Sequence, residues 1–73
     1  MNESFFNNLA LNIKKNRKRL HLTQQQLADR VGVGLNHIGK VEVGYSKPSI
    51  DLIISIATAL EVTVSELCDF SEL

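Results

Sequence analysis

Apolar residues recur along this 73-residue chain at the three- to four-residue spacing of amphipathic helices, not at the alternating spacing of strands. The residues that interrupt this pattern divide it into five short segments, which predicts five helices. A chain of this length supports one small domain, because folds near this size bury only about 60% of the surface of the unfolded chain. We therefore expect an all-α fold, a compact five-helix bundle that occupies residues 1–73 as a single domain.

Caps and glycines fix the expected limits of the first three helices. The first helix is expected over residues 4–20. Thr23 is followed three residues later by Gln26, a capping box in which the two side chains satisfy backbone N–H groups at a helix start. The second helix then runs to residue 31 and is broken by Gly32. The third is expected over residues 35–43, with Ile38 and Val41 facing inward.

The second half of the chain predicts two more helices. Ser49 caps a strongly apolar fourth helix, in which we expect five buried residues: Ile50, Ile53, Ile54, Ala57 and Leu60. Thr63 and Glu66 form a second capping box, which opens a short fifth helix that ends near residue 69. Two short helices joined by a tight glycine turn, here at about residues 23–43, are the parts of a helix-turn-helix. The alternative is a plain helical bundle.

The net charge of zero conceals an uneven distribution of charge. Residues 1–50 carry eight bases and three acids, a balance of +5, whereas residues 51–73 carry five acids and no base, a balance of −5. Five of the bases fall within residues 14–19. A dipolar domain can present its basic end to a polyanion while the acidic end stays away. The alternative is an ordinary solvated helix face.

Several classes of protein are excluded by residue content. No apolar run approaches the ~20 residues of a membrane span, and residues 1–10 lack the features of a signal peptide, so we expect a cytoplasmic protein. A single cysteine, Cys68, excludes an intrachain disulfide framework. His21, His37 and Cys68 match no metal-ligand spacing, and no nucleophile–base pair is evident. We expect no metal, no cofactor and no enzymatic activity.

Four segments together resemble the lambda repressor/Cro-like (XRE-type) helix-turn-helix DNA-binding family, which includes phage-type repressors and restriction–modification controller proteins. They are TQQQLA at residues 23–28, VGV at 31–33, VEVG at 41–44 and VTVSEL at 62–67. The resemblance covers roughly residues 8–68. It implies a five-helix domain of the lambda-repressor type that binds double-stranded DNA and regulates transcription. Family members usually act as homodimers on palindromic operators.

The resemblance also implies roles for the third helix, whose N-terminal end enters the major groove in this fold. The expected base contacts are Leu35, Asn36, His37 and Lys40. Asn36 can pair with adenine N6 and N7, and Lys40 can donate to guanine O6 and N7. The methyl groups of Leu35 can pack on a thymine methyl.

Other positions are expected to contact phosphates or to hold the fold. Gln24 begins the second helix, where backbone amides and the helix dipole favour an anion. The remaining expected phosphate contacts are Gly34, Lys47 and Lys14. Arg17 and Glu42 match family positions that form a structural ion pair between the first and third helices. His21 stands where the family often has glycine in a left-handed turn, and Gly34 stands where it has a capping hydroxyl.

Surplus apolar residues in the last two helices predict a homodimer interface over about residues 49–69. The expected interface residues are Leu52, Ile56, Val64, Leu67 and Phe70. Since no effector domain is evident, no small-molecule effector is expected. The alternative function is a protein-interaction module, an antitoxin-like partner with little direct role on DNA, and an apolar exposed stripe on the third helix would favour it.

Overall fold

The computed structural model describes residues 3–71, and within that range it contains five helices and no strand. They are α1 (Glu3–Arg19), α2 (Gln24–Val31), α3 (Leu35–Glu42), α4 (Ile50–Ala59) and α5 (Val64–Leu67). The expected all-α class and five-helix bundle are confirmed, and every helix limit that the sequence predicts agrees with the structure within two residues.

Both predicted capping boxes are present at the starts of α2 and α5. The Thr23 hydroxyl accepts a hydrogen bond from the Gln26 backbone N–H at 3.0 Å, and Gln26 Oε1 accepts one from the Thr23 N–H at 2.8 Å. Thr63 and Glu66 make the same reciprocal pair at 3.0 and 2.9 Å. These bonds satisfy backbone donors that have no partner within a helix.

The turn between α2 and α3 depends on Gly32, whose φ is +85°. The left-handed conformation is accessible to glycine at little cost. It lets the N–H groups of Gly32 and Val33 both donate to the Ala28 carbonyl, at 2.8 and 3.1 Å. The chain therefore reverses within three residues and α3 starts at Leu35, packed across α2.

The core lies where α1, α2, α3 and α4 converge, and α5 closes one end. Its largest fully buried side chains come from all five helices: Leu9, Ile13, Leu27, Ile38, Val41, Ile56, Leu60 and Leu67. Because Ile38 and Val41 anchor α3 to this core, the opposite side of α3 faces solvent.

The expectation that Ile50 and Ile54 are buried in α4 is wrong. Their side chains are 64% and 48% exposed. The inward face of α4 is instead formed by Ile53, Ile56, Ala57 and Leu60, which follow the i, i+3, i+4, i+7 spacing of one helix face. Seven of the ten residues of α4 are apolar, and the three polar residues, Asp51, Ser55 and Thr58, share the opposite, exposed face. Ile54 lies beside that polar face, so its exposure follows from the same spacing.

Two of the five residues expected at a dimer interface are core residues of the chain itself. Ile56 and Leu67 are both 0% exposed, so neither offers surface to a partner. The expectation that Ile56 and Leu67 lie at a dimer interface is therefore wrong. Leu52, Val64 and Phe70 are half-buried against the core.

One structural residue was not foreseen from the sequence. Asn12 is buried in the middle of α1, and its Nδ2 donates to the carbonyls of Leu67 and Asp69, each at 2.8 Å. Since these carbonyls lie at the end of α5, Asn12 ties the last helix to the first. An asparagine beside an apolar stripe gives no signal of this role, because its partners are backbone atoms 55 and 57 residues away.

Candidate nucleic-acid interface

The outward side of α3 carries all four residues expected to contact bases. Leu35, Asn36, His37 and Lys40 are exposed, whereas Ile38, Val41 and Glu42 on the other side are buried. Asn36 and Lys40 are four residues apart, so their side chains lie one above the other on the helix.

A shallow groove runs along this side of α3, between the helix and the start of α2. Its lining comprises Gln24, Leu35, Asn36, Gly39, Lys40, Val43 and Tyr45. Gln24 thus lies among the residues expected to read bases, although it was expected to contact phosphate. His37 faces a second groove, which it shares with Lys47 and the first turn of α4.

The ion pair expected between Arg17 and Glu42 is present and buried. Arg17 Nε lies 2.7 Å from Glu42 Oε2, and Arg17 Nη2 lies 3.0 Å from Glu42 Oε1. Arg17 Nη1 also donates to the Leu22 carbonyl at 2.7 Å. Gln24 Nε2 donates to Glu42 Oε1 at 3.1 Å. One carboxylate on α3 therefore joins α1 and α2, which fixes the position of α3 on the bundle.

The three arginines of the sequence bond within the chain. Besides Arg17, Arg19 Nη2 donates to the Leu60 carbonyl and Arg30 Nη1 to the Ala59 carbonyl, each at 3.3 Å. Positive charge at the carbonyl end of a helix is favourable, so these two arginines stabilise the end of α4. Arg30 also lies 3.8 Å from the Glu61 carboxylate.

The basic cluster at residues 14–19 divides between two sides of α1. Lys15 lines a groove with Glu61, Glu66 and Asp69 at the acidic end of the molecule. Lys14 is exposed one turn before Arg17.

Two further lysines, one on α3 and one in the loop after it, lie over aromatic rings. Lys40 Nζ is 5.9 Å from the centre of the Tyr45 ring, and Lys47 Nζ is 5.6 Å from that of Phe6. Gly34 precedes α3 and provides no side-chain cap, as its sequence predicts. The first N–H groups of α3 thus receive no hydrogen bond from a side chain at that position.

The other candidate chemistries find no support in the described range. Burial raises the pKa of the half-buried Cys68 thiol, which favours its neutral form. Across residues 3–71, no three side chains of His, Cys, Asp or Glu lie close enough together to hold a metal ion. None of the helices in this range combines the length and apolar character that a membrane crossing requires.

A family model described as helix-turn-helix, HTH_3, matches residues 13–67. These residues include α2, the glycine turn, α3 and the whole buried network around Glu42. The chain belongs to the helix-turn-helix family. The resemblance to lambda repressor/Cro-like (XRE-type) proteins is thereby confirmed.

Named relatives in this family are regulators of transcription. The chain is 40% identical over 52 residues to the cryptic phage CTXphi transcriptional repressor RstR of Vibrio cholerae serotype O1, a match that covers 71% of this chain and 46% of the repressor. It is 35% identical over 60 residues to an HTH-type transcriptional regulator of Archaeoglobus fulgidus, covering 82% and 84% of the two chains. The chain spans less than half the length of the first relatives that it matches.

Solved structures of helix-turn-helix proteins share the fold. The restriction–modification controller protein C.AhdI from Aeromonas hydrophila superposes with a TM-score of 0.84 at 28% identity, covering 88% of this chain and 97% of the controller. The family model and the named relatives thus group the chain with helix-turn-helix regulators of transcription.

Proposed function

We propose that this helix-turn-helix chain binds a palindromic operator as a homodimer, with α3 in the major groove, and so regulates transcription from a nearby promoter. The observation that carries the proposal is the two-sided character of α3. Ile38, Val41 and Glu42 fix one side to the bundle, while Asn36 and Lys40 project from the other. A rigid helix with exposed hydrogen-bonding side chains is what direct readout of base edges requires.

Each proposed base contact follows from side-chain chemistry. Asn36 pairs with adenine through N6 and N7, Lys40 donates to guanine, and Leu35 packs on a thymine methyl. His37 contacts the edge of the site, because it shares a groove with Lys47 and not with Gln24.

Phosphate contacts set the register of α3 on the duplex without reading sequence. The backbone N–H groups at the starts of α2 and α3, at Gln24 and after Gly34, supply donors at the positive ends of two helix dipoles. Lys47 lies in the loop after α3 and Lys14 lies on α1, both with exposed side chains. These two lysines add positive charge to the proposed DNA-binding surface.

The homodimer interface centres on Ile50 and Ile54, with the exposed parts of Val64 and Phe70. Ile50 and Ile54 are four residues apart and therefore form one apolar patch on α4. Leu52 is excluded from this patch, since two residues correspond to about 200° around a helix. A two-fold dimer uses the same patch on both copies, and its symmetry matches a palindromic operator. Occupancy of the operator in the cytoplasm then depends on the concentration of the chain, without a small-molecule effector.

One observation favours the second candidate, an antitoxin-like protein-interaction module. Val43 and Tyr45 are 74% and 79% exposed, and Leu35 is 41% exposed. Leu35, Gly39 and Val43 recur every four residues, so the groove along α3 has an apolar stripe. A partner protein could cover this stripe, as could the thymine methyl groups of a DNA site.

Selection from random duplex DNA separates the two candidates. We expect the chain to enrich a palindrome whose half-sites are about 34 Å apart, and we expect the affinity for it to fall steeply with salt concentration. A scrambled duplex of equal length and composition serves as the control. If no sequence is enriched, or if the scrambled duplex binds with equal affinity, sequence-specific recognition is contradicted and the protein-interaction module is favoured.

A further inference from the structure

The side-chain amide of Gln24 has a fixed orientation. Its nitrogen lies 3.1 Å from Glu42 Oε1. A carboxylate accepts hydrogen bonds and donates none, so the NH₂ group of Gln24 must point to Glu42. Glu42 is itself held by two bonds from Arg17. The amide oxygen of Gln24 is therefore turned away from the ion pair.

This oxygen lies in the groove along α3. A Cβ placed on Gly39 would be 3.8 Å from Gln24 Oε1, which locates the oxygen beside the middle of α3. Within residues 3–71, Gln24 Oε1 accepts no hydrogen bond. Since residue 39 has no side chain, the oxygen faces a gap between Leu35 and Val43, beside Asn36 and Lys40, that another molecule can enter.

Because the Gln24 amide oxygen is an acceptor, it can bond to some bases but not to a phosphate. Phosphate oxygens, guanine O6 and thymine O4 are all acceptors and cannot bond to an amide oxygen. In the major groove, the donors are the exocyclic amino groups, N6 of adenine and N4 of cytosine. The oxygen thus complements an amino-bearing base and no part of the DNA backbone.

We infer that Gln24 is a specificity-determining residue, whose amide oxygen accepts a hydrogen bond from the exocyclic amino group of an adenine or a cytosine in the operator. This inference rests on the proposed function, with α3 in the major groove. It is compatible with a phosphate contact by the backbone N–H of Gln24, because the backbone and the side chain use different atoms. Gln24 of α2 and Asn36 of α3 then read neighbouring bases.

Base analogues that lack only the amino group test this contact. In the operator enriched by the natural chain, each adenine is replaced in turn by purine and each cytosine by 2-pyrimidinone. In each half-site, we expect loss of the amino group to weaken binding at two kinds of position, one that depends on Gln24 and one that depends on Asn36. At the Gln24-dependent position, loss of the amino group should weaken binding by the natural chain about 5- to 150-fold, the equivalent of 1–3 kcal/mol. Whether purine or 2-pyrimidinone has this effect identifies the base.

The variant Gln24→Met keeps the length of the side chain and removes both its acceptor and its donor to Glu42. For this variant, the same analogue should change affinity less than twofold, while sensitivity at the Asn36-dependent position should persist. Gln25→Met is the matched control: Gln25 is the next residue of α2, it is exposed, and it bonds to Asp29 on its own helix. It should respond to every analogue as the natural chain does.

Two results would overturn the inference in distinguishable ways. If Gln24→Met weakens binding to every duplex by one common factor, the Gln24 side chain acts only through its bond to Glu42, which helps to position α3, and the proposed function stands without the base contact. If the natural chain enriches no operator at all, the proposed function fails and the inference fails with it. Circular dichroism of Gln24→Met, compared with Gln25→Met, shows whether the variant remains folded.

Discussion

Glu42 on α3 accepts a hydrogen bond from Arg17 on α1 at 2.7 Å, and the Glu42 side chain is almost completely buried. A second bond from Arg17 and one from Gln24 use the other carboxylate oxygen. The described side chains leave no buried nitrogen or oxygen without a partner. The ion pair therefore connects three helices with every buried polar atom hydrogen-bonded. Each of these helices carries part of the proposed DNA-binding surface.

Removal of one member of this pair should strongly destabilise the fold. In Glu42→Ala, the Arg17 guanidinium remains buried without its counter-ion, and breaking a buried pair costs about 3–5 kcal/mol. We expect a decrease of that size in the free energy of unfolding, measured by urea denaturation. Glu61→Ala is the matched control, because its pair with Arg30 is long and exposed, and such pairs contribute about 0–1 kcal/mol. Equal stability of the two variants would contradict a structural role for the Arg17–Glu42 pair.

Sequence was sufficient for features that depend on local chemistry. The Thr23–Gln26 and Thr63–Glu66 boxes and Gly32 are read within a few residues, and the structure contains all of them. The Arg17–Glu42 pair spans 25 residues and was foreseen only through resemblance to a family.

Features that depend on tertiary packing were missed or misplaced. Ile50 and Ile56 are chemically identical, and only the position of α4 on the core decides that the first is exposed and the second buried. The groove that joins Gln24 to Gly39 forms where α2 crosses α3, so no spacing along the chain reveals it.

Two glycines should respond to alanine in opposite directions. Gly39 lies within α3, its φ is not positive, and a Cβ there meets Gln24 Oε1 at an ordinary 3.8 Å. Gly39→Ala should raise the free energy of unfolding by up to about 1 kcal/mol, because alanine has the higher helix propensity. Gly44 has a φ of +79°, and its Cβ would lie 2.6 Å from Asn7 Oδ1.

Gly44→Ala should therefore lower the free energy of unfolding by about 1–2 kcal/mol, the cost of a left-handed conformation for a residue with a Cβ. Thermal unfolding of both variants, followed by circular dichroism, measures the difference. Destabilisation by Gly39→Ala would show that the contact between α2 and α3 is tighter than 3.8 Å.

The second capping box should make stability depend on acidic pH. The backbone N–H and the hydroxyl of Thr63 hold the pKa of Glu66 below its ordinary value. A lowered pKa in the folded state means that ionised Glu66 stabilises the fold above its unfolded pKa, and that this contribution is lost as pH falls through the folded pKa. Glu66→Gln should remove this part of the acid destabilisation, as measured by urea unfolding at a series of acidic pH values.

The first capping box offers the converse experiment, since it has glutamine at the equivalent position. Gln26 Oε1 accepts the bond from Thr23 that Glu66 accepts from Thr63. Gln26→Glu should add the pH dependence that Glu66→Gln removes. If the free energy of unfolding changes with acidic pH in the same way in the parent and in both variants, then neither capping box contributes to the pH dependence of stability.

The apolar patch on α4 should determine the oligomeric state. Replacing both Ile50 and Ile54 by glutamine removes apolar surface that a second copy would cover, so sedimentation should change from dimer to monomer. Because neither side chain is in the core, the helical content should not change. Leu11→Gln is the control, since Leu11 is a comparable exposed apolar residue, on α1. A double variant that sediments as the parent does would place the interface elsewhere.

Asn36 and Lys47 should affect DNA binding in different ways, because we propose a base contact for the first and a phosphate contact for the second. Asn36→Ala should lose about 1–3 kcal/mol of discrimination at a single base position, while its salt dependence stays near that of the parent. Lys47→Ala should weaken binding to all duplexes alike and reduce the slope of log affinity against log salt by about one. Titration of both variants against the operator, its single-base variants and a scrambled duplex at several salt concentrations measures both effects. If the two variants lose affinity in the same pattern, then α3 does not lie in the major groove in the proposed orientation.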